Sequence, residues 1–237
     1  MSNNYFCFKQ FAIEQDNAPM KVGTDGVLIG AWCNCNNARK VLDVGTGTGL
    51  VAIMVAQRSE AMVSAVEIDA NACLDAMENF GKCPWPKRIE LFNLSIQEFA
   101  GDCTDRFDLI VSNPPFFNNS LKAPDAGRTL ARHTDSLPAS DLFECASKLL
   151  ADNGCLSVII PVGNFEEYCV EAENHKMRVL RKAWVKPTDE LPCHRVMVEF
   201  GYSADMTSEE TIVIEQGGRH CYSPEYIALT QDFYLKF

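Results

Sequence analysis

Asn113-Pro-Pro-Phe116 follows an apolar run, Asp108–Ser112, that reads as a buried strand. Such a strand delivers Asn113 to its C-terminal end, where open α/β sheets bind their ligands. Each proline fixes φ and lacks an N–H, so the carbonyls beside it are left able to accept. The side-chain oxygen of Asn113 and the carbonyl of Pro114 then form an acceptor pair for a single planar amine. The lone pair of an amine conjugated to an aromatic ring is delocalised, which makes it a poor nucleophile. Two acceptors on its hydrogens favour a pyramidal nitrogen and stabilise the charge that develops as it attacks. Phe116 offers a π face that stacks on the ring and holds it in line for attack, a proximity effect. No separate general base is required. Alone, Asn-Pro-Pro also reads as a turn after a strand.

What lies upstream favours the chemical reading. In Val41-Leu-Asp-Val-Gly-Thr-Gly-Thr-Gly49 an apolar strand runs into three glycines at alternate positions, with a helix following. Glycine lets the backbone turn sharply and approach a ligand closely. A dinucleotide fingerprint needs G-x-G-x-x-G, and Leu50 breaks that spacing, which disfavours a dehydrogenase. The D-x-G-x-G-x-G pattern instead resembles the cofactor loop of class I methyltransferases. That resemblance implies S-adenosylmethionine, with Asp43 near its methionine end, Gly45, Thr46, Gly47 and Gly49 around it, and Asn113 among the cofactor-binding residues as well. A second strand ends in Val66-Glu-Ile-Asp69, and a carboxylate there can accept from both ribose hydroxyls. By resemblance Glu67 takes the ribose and Ile68 packs on the adenine, while Asp69 reads as a helix N-cap. At the end of the third strand Ser95 and Ile96 fall where the cofactor's adenine is held; related enzymes usually carry an aspartate in place of Ser95.

These residues need a scaffold that brings strand ends together. Lys40–Val44, Met62–Val66, Ile89–Phe92, Asp108–Ser112 and Cys155–Ile160 read as short buried strands. Gly49–Arg58, Ala70–Phe80 and Ser140–Leu150 have helical spacing between them. Alternating strands and helices predict a parallel sheet covered on both faces. After a helix-like Asn164–His175 come Val179–Val185, Arg195–Tyr202 and Glu210–Glu215, read as an antiparallel closure of the edge. The expected fold is a Rossmann-like α/β class I methyltransferase: seven strands, mostly parallel, with an antiparallel edge. Residues 1–237 form one domain in this reading, with 1–38 as a cofactor-covering cap and 39–237 as the core with its C-terminal edge hairpin. Met1–Gly30 shows no clear period and is expected to pack on the first helix.

Composition limits the alternatives. The chain has 237 residues, 47% of them apolar, enough for a core without disulfides. No apolar run is long enough to span a bilayer and no secretory signal is seen, which points to the cytoplasm. The 11 cysteines are irregularly spaced and read as reduced thiols; the Cys33/Cys35 pair is weak evidence for a metal, and none is expected. A net charge of −11 requires an enzyme acting on nucleic acid to concentrate its positive charge locally. One candidate stretch holds Lys122, Arg128, Arg132 and His133; another holds Arg178, Arg181, Lys182, Lys186, His194 and Arg195. Either also reads as a solvated surface.

Further segments narrow the resemblance: Phe8-Lys-Gln-Phe-Ala-Ile13, Met20–Trp32, Asn113–Phe117, Ala131-Arg-His133 and Leu229–Phe237. Together, over nearly the whole chain, they resemble the tRNA-Val adenine-37 N6-methyltransferase family, in which a tyrosine is common where Phe116 stands. The resemblance implies methylation of the adenine beside a tRNA anticodon, in a single-stranded loop whose bases are readily stacked. It implies that Lys21 and Thr24 cover the methionine end of the cofactor. It also implies that Arg132 and His133 lie near the tRNA. Lys122, Arg128 and Arg195, from the two basic stretches, are further candidate tRNA contacts, and no obligate protein partner and no membrane are expected. Ribosomal RNA guanine-N2 and release-factor glutamine-N5 methyltransferases share the Asn-Pro-Pro logic and remain alternatives. A non-catalytic scaffold that binds the cofactor is a distant one.

Overall fold

The computed structural model describes residues 4–115, 137–203 and 208–236. A small antiparallel hairpin, β1 (Tyr5–Cys7) and β2 (Ala12–Glu14), leads into helix α1 (Thr24–Trp32). Then β3 (Lys40–Val44), α2 (Leu50–Arg58), β4 (Met62–Glu67), α3 (Ala70–Lys82), β5 (Ile89–Asn93), α4 (Ile96–Asp102) and β6 (Phe107–Ser112) alternate. After the segment outside the described residues come α5 (Ala139–Leu149), β7 (Leu150–Pro161), α6 (Phe165–Asn174), β8 (Arg178–Thr188), β9 (Arg195–Gly201), β10 (Ser208–Glu215) and α7 (Pro224–Thr230).

The strands form one sheet in the order β10-β8-β9-β7-β6-β3-β4-β5. Its central strands are buried on both faces, as a parallel sheet between helical layers requires. Along β6, Leu109 and Val111 join the apolar cluster beneath α1 and α2, while Ile110 joins the one beneath α4 and α5. Fully buried Phe107, Phe143 and Phe200 fill the second cluster.

Two expectations need correction. The sheet has eight strands, not seven, and its antiparallel strand is not at the edge. A short turn makes β8 and β9 a hairpin, and β9 inserts between β7 and β8, antiparallel to both. With β9 paired on both sides, β10 takes the free edge of β8 and runs parallel to it. Side chains secure that edge: Trp184 Nε1 donates to Glu209 at 2.7 Å and Trp32 Nε1 to Glu210 at 2.9 Å.

Helix α1 is the element that periodicity does not reveal. Gly26 through Trp32 are all buried, against α2, α7 and β7, so no polar stripe marks the helix. Its ends are pinned. Asp25 accepts from Arg195 Nε at 2.8 Å, and the Trp32 carbonyl accepts from Arg181 Nη2 at 2.6 Å. Arg181 also stacks over the Trp32 ring at 3.8 Å and makes a two-point ion pair with the nearly buried Glu199.

Candidate active site

Strand order reverses direction on either side of β3: β4 and β5 lie one way, β6 and β7 the other. This switch point opens a crevice at the C-terminal strand ends, where the glycine loop, Glu67, Asn93 and Asn113 all emerge.

In the loop, Gly45, Gly47 and Gly49 have φ of 71°, 57° and 84°. The amides of Gly45 and Thr46 donate to the Val66 carbonyl at 2.9 and 3.1 Å, which fastens the loop to the end of β4. A Cβ on Gly45 or Gly47 would project into open space, so backbone is presented there bare. At Gly49 it would lie 2.4 Å from Phe80 Cε1. Two of the glycines thus leave room for a ligand, and the third lets α3 pack close.

Asp43 is 1% exposed, at the mouth of β3. It accepts from Thr46 Oγ1 at 2.6 Å and from the Ala52 amide at 3.0 Å. Burial raises its pKa to about 7; the two hydrogen bonds oppose this, and the negative charge of Glu67 adds to it. Glu67 accepts from the Gly47 amide at 2.8 Å with one oxygen and from the Asp69 amide at 2.9 Å with the other. A carboxylate has about four acceptor sites, so each oxygen keeps capacity for a hydroxyl. Asp69 caps α3 by accepting from Asn71 and Ala72, as its position predicts. Ile68 is 58% exposed beside it, an apolar surface of the kind a flat ring covers.

Ser95 has a second duty. It is the N-cap of α4 in a reciprocal capping box: its hydroxyl accepts from the Glu98 amide and donates to the Glu98 carboxylate at 2.7 Å. One lone pair remains for an adenine amine. Ile96 is 5% exposed within the second apolar cluster, so its side chain belongs to the core.

Asn113 ends β6, half-buried, with Pro114 buried and Pro115 exposed. Ser112 donates to the Val44 carbonyl at 2.8 Å and so holds the Asn113 and Asp43 strand ends side by side. Above Asn113 sits α1: a Cβ on Gly26 would come 3.9 Å from Asn113 Nδ2. Thr24 is exposed at the start of α1, and Lys21 is exposed just before it, its ammonium donating to the Gln15 carbonyl.

Spacing alone does not find the residues that hold this arrangement. Asp75 accepts from the amides of Asn17 and Ala18 and from Asn17 Nδ2, which ties the N-terminal segment to α3. Asn79, fully buried, donates to the Glu14 and Thr48 carbonyls and accepts from the Glu14 amide. Asn93 donates to the Glu67 carbonyl at 2.9 Å. A signal existed for two of them: Asp75 and Asn79 are polar residues four apart on the face of α3 that carries Ala72 and Ala76.

The second basic stretch does not form a patch. Arg178 pairs in register with Gly201 and Val185 with Arg195, so Arg178 and Arg195 lie about 23 Å apart at ~3.3 Å per residue. Arg181 is bound to Glu199 and Lys182 to Glu209. Only the end that holds Lys186, His194 and Arg195 reaches the edge where Asn113 lies. Phe116, Lys122, Arg128, Arg132 and His133 lie outside the described residues.

All eleven cysteines are free thiols, and among the described residues no acidic, histidine or cysteine cluster is arranged to hold a metal. Among those same residues no helix is long and apolar enough to cross a membrane.

The donor set suits S-adenosylmethionine: a buried carboxyl at the mouth of β3, a strand-end carboxylate with spare acceptors, bare glycine backbone and an exposed apolar ledge. The family model for the Methyltransferase small domain matches residues 26–179. A tRNA1(Val) (adenine(37)-N6)-methyltransferase of Trichodesmium erythraeum is 46% identical over 240 residues, covering 100% of both chains. One of the same name from Parabacteroides distasonis is 44% identical, also over 100% of both. Among solved structures, a predicted O-methyltransferase from Agrobacterium tumefaciens superposes with a TM-score of 0.67 at 19% identity, covering 88% of this chain and 96% of its own. The ribosomal protein L11 methylase of Lactobacillus delbrueckii subsp. bulgaricus gives 0.52 at 19%, over 74% and 76%. At such identities these structures speak for the fold alone.

Proposed function

The chain belongs to the tRNA1(Val) (adenine(37)-N6)-methyltransferase family, and on that footing we propose how its residues carry a methyl group to N6 of adenine-37. The enzyme methylates that exocyclic amine in tRNA-Val with S-adenosylmethionine as donor. When bound, the donor supplies an electrophilic methyl on a sulfonium, and transfer makes an N–C bond as the S–C bond breaks.

The residues divide the work. Asp43 and the Gly45–Gly49 loop hold the methionine end, with Lys21 and Thr24 covering it. Glu67 takes the ribose hydroxyls, Ile68 packs on the adenine, and Ser95 with the Ile96 backbone lies along its edge. Asn113 Oδ1 and the Pro114 carbonyl accept from the target amine and draw its nitrogen out of conjugation. The surplus proton on nitrogen leaves to water. Phe116 stacks on the target base, and Lys122, Arg128, Arg132, His133 and Arg195 meet the anticodon loop. The protein acts in the cytoplasm and needs no protein partner.

The observation that carries this reading is that Asn113 leaves β6 beside the mouth of β3, with Ser112 bonded to the Val44 carbonyl. Amine acceptors and glycine loop therefore share one crevice.

The test is digestion of tRNA after incubation with the purified protein and labelled S-adenosylmethionine, followed by nucleoside mass spectrometry. Labelled N6-methyladenosine from tRNA is expected. Label found only in N2-methylguanosine of ribosomal RNA, or in a release-factor glutamine, overturns the substrate.

A further inference from the structure

Beside the candidate active site lies a cavity of about 170 Å³ whose lining includes Thr24 and Arg195 but whose interior has no role above. Thr24 and Asp25 form one wall, Val185, Pro187 and Ile214 the apolar part, and His194 and Arg195 the rim. Thr24 and Asp25 immediately precede Gly26, the residue set against Asn113. The cavity therefore adjoins the start of α1, the element that sits against Asn113.

Its size and lining select the occupant. It is smaller than the roughly 300–1,000 Å³ of pockets that take drug-sized ligands, so it has room for one planar ring system. Its lining is mixed: Val185, Pro187 and Ile214 face Thr24 and Asp25, with an imidazole and a guanidinium at the rim, side chains that splayed RNA bases stack upon. Asp25 holds Arg195 by a 2.8 Å bond to Nε, which fixes the guanidinium plane and offsets its charge. A balanced pair attracts a ring face more than a phosphate, which suits a chain of net charge −11.

We propose that this cavity is the subsite for the nucleobase adjoining the target adenine, and that Pro187, His194, Arg195 and Ile214 determine which neighbour is accepted. The inference rests on the tRNA-methylation reading. It also accounts for tRNA binding by an acidic protein: stacking in a pocket carries part of the grip that counterion release supplies elsewhere.

The test uses the full chain and tRNA-Val transcripts in which the nucleotide 5′ or 3′ of the target adenine is made abasic. With the wild-type protein, one of the two replacements is expected to raise KM by about ten-fold while kcat holds, the scale of one lost base stack. An Ile214→Trp variant, which fills the cavity, should show the raised KM on intact tRNA and no further penalty from the abasic site. Its dissociation constant for S-adenosylmethionine reports that it has folded. KM within about two-fold of intact tRNA for both abasic transcripts overturns the subsite, since a lost stack is worth more. So does a cofactor-binding Ile214→Trp protein with unchanged KM. If that variant does not fold, the abasic pair decides alone. No transfer to intact tRNA by the wild-type protein overturns the reaction itself, and the subsite with it.

Discussion

Glu67 Oε2 accepts the backbone amide of Gly47 at 2.8 Å, which ties the end of β4 directly to the glycine loop. One carboxylate therefore shapes the loop and offers its remaining lone pairs to a ligand. Glu67→Gln keeps the size but turns an NH2 toward one of two donor amides, so both functions suffer. The dissociation constant for S-adenosylmethionine should rise about ten- to hundred-fold, the scale of a lost hydrogen bond to a charged group. Calorimetry measures it, and an unchanged constant would disprove the ribose role.

Asn113 belongs to a different step. Asn113→Ala should lower kcat by about 10²–10³, as loss of a preorganised charge-stabilising partner does. Cofactor affinity should stay as it was, because the role proposed for this side chain is toward the amine. Single-turnover methylation at saturating cofactor separates the two. Wild-type turnover in the variant would sink the mechanism.

We predict that cofactor binding depends on pH through Asp43. Burial raises its pKa from 3.8 to about 7, so the free protein holds this carboxyl largely protonated in mildly acidic solution. A cationic ligand favours the ionised form. Affinity should therefore climb as pH rises toward about 7 and level off above it, with a limiting slope near ~1 log unit per pH unit. The same ionisation costs the ligand-free fold stability over that window, since the folded value lies above the unfolded one. Titrations between about pH 5.5 and 8.5 would show this, and Asp43→Asn should flatten the profile. A flat profile in the unmodified protein would refute the assignment.

Two glycines should fail in different ways. Gly49→Ala combines left-handed backbone, φ 84°, with a Cβ 2.4 Å from Phe80 Cε1. Strain and overpacking together should remove about 2–5 kcal/mol, lowering Tm by roughly 5–15 °C for a chain of this size. Gly47→Ala meets no neighbour within 4 Å. It should cost only about 1–3 kcal/mol of backbone strain, while hindering the ligand. Thermal melts with and without S-adenosylmethionine distinguish them; equal losses of stability would contradict the packing role of Gly49.

The strand ends were legible because chemistry in a parallel sheet sits where apolar runs stop. Glu67 and Asn113 each follow such a run, and Gly45–Gly49 announce a sharp turn between strand and helix. Helix α1 was not legible, since a segment buried all round has no period to read. Nor was Arg195 legible as the partner of Asp25, 170 positions away. Ser95 shows how two legitimate patterns compete. Ser-x-x-Glu is a capping box, and the structure uses it as one at the position where resemblance expects an adenine contact. The place of β10 depended on which edge β9 left open, a fact of the assembled sheet and not of any local segment.

The anchoring of α1 at both ends has a kinetic consequence. A roof bolted to β9 through Asp25 and to β8 through Trp32 cannot swing as a door. Turnover should therefore proceed without detaching the N-terminal part of the chain. In a hydrogen–deuterium exchange experiment the amides of Leu28 to Trp32 should be among the last to open, at the free energy of global unfolding.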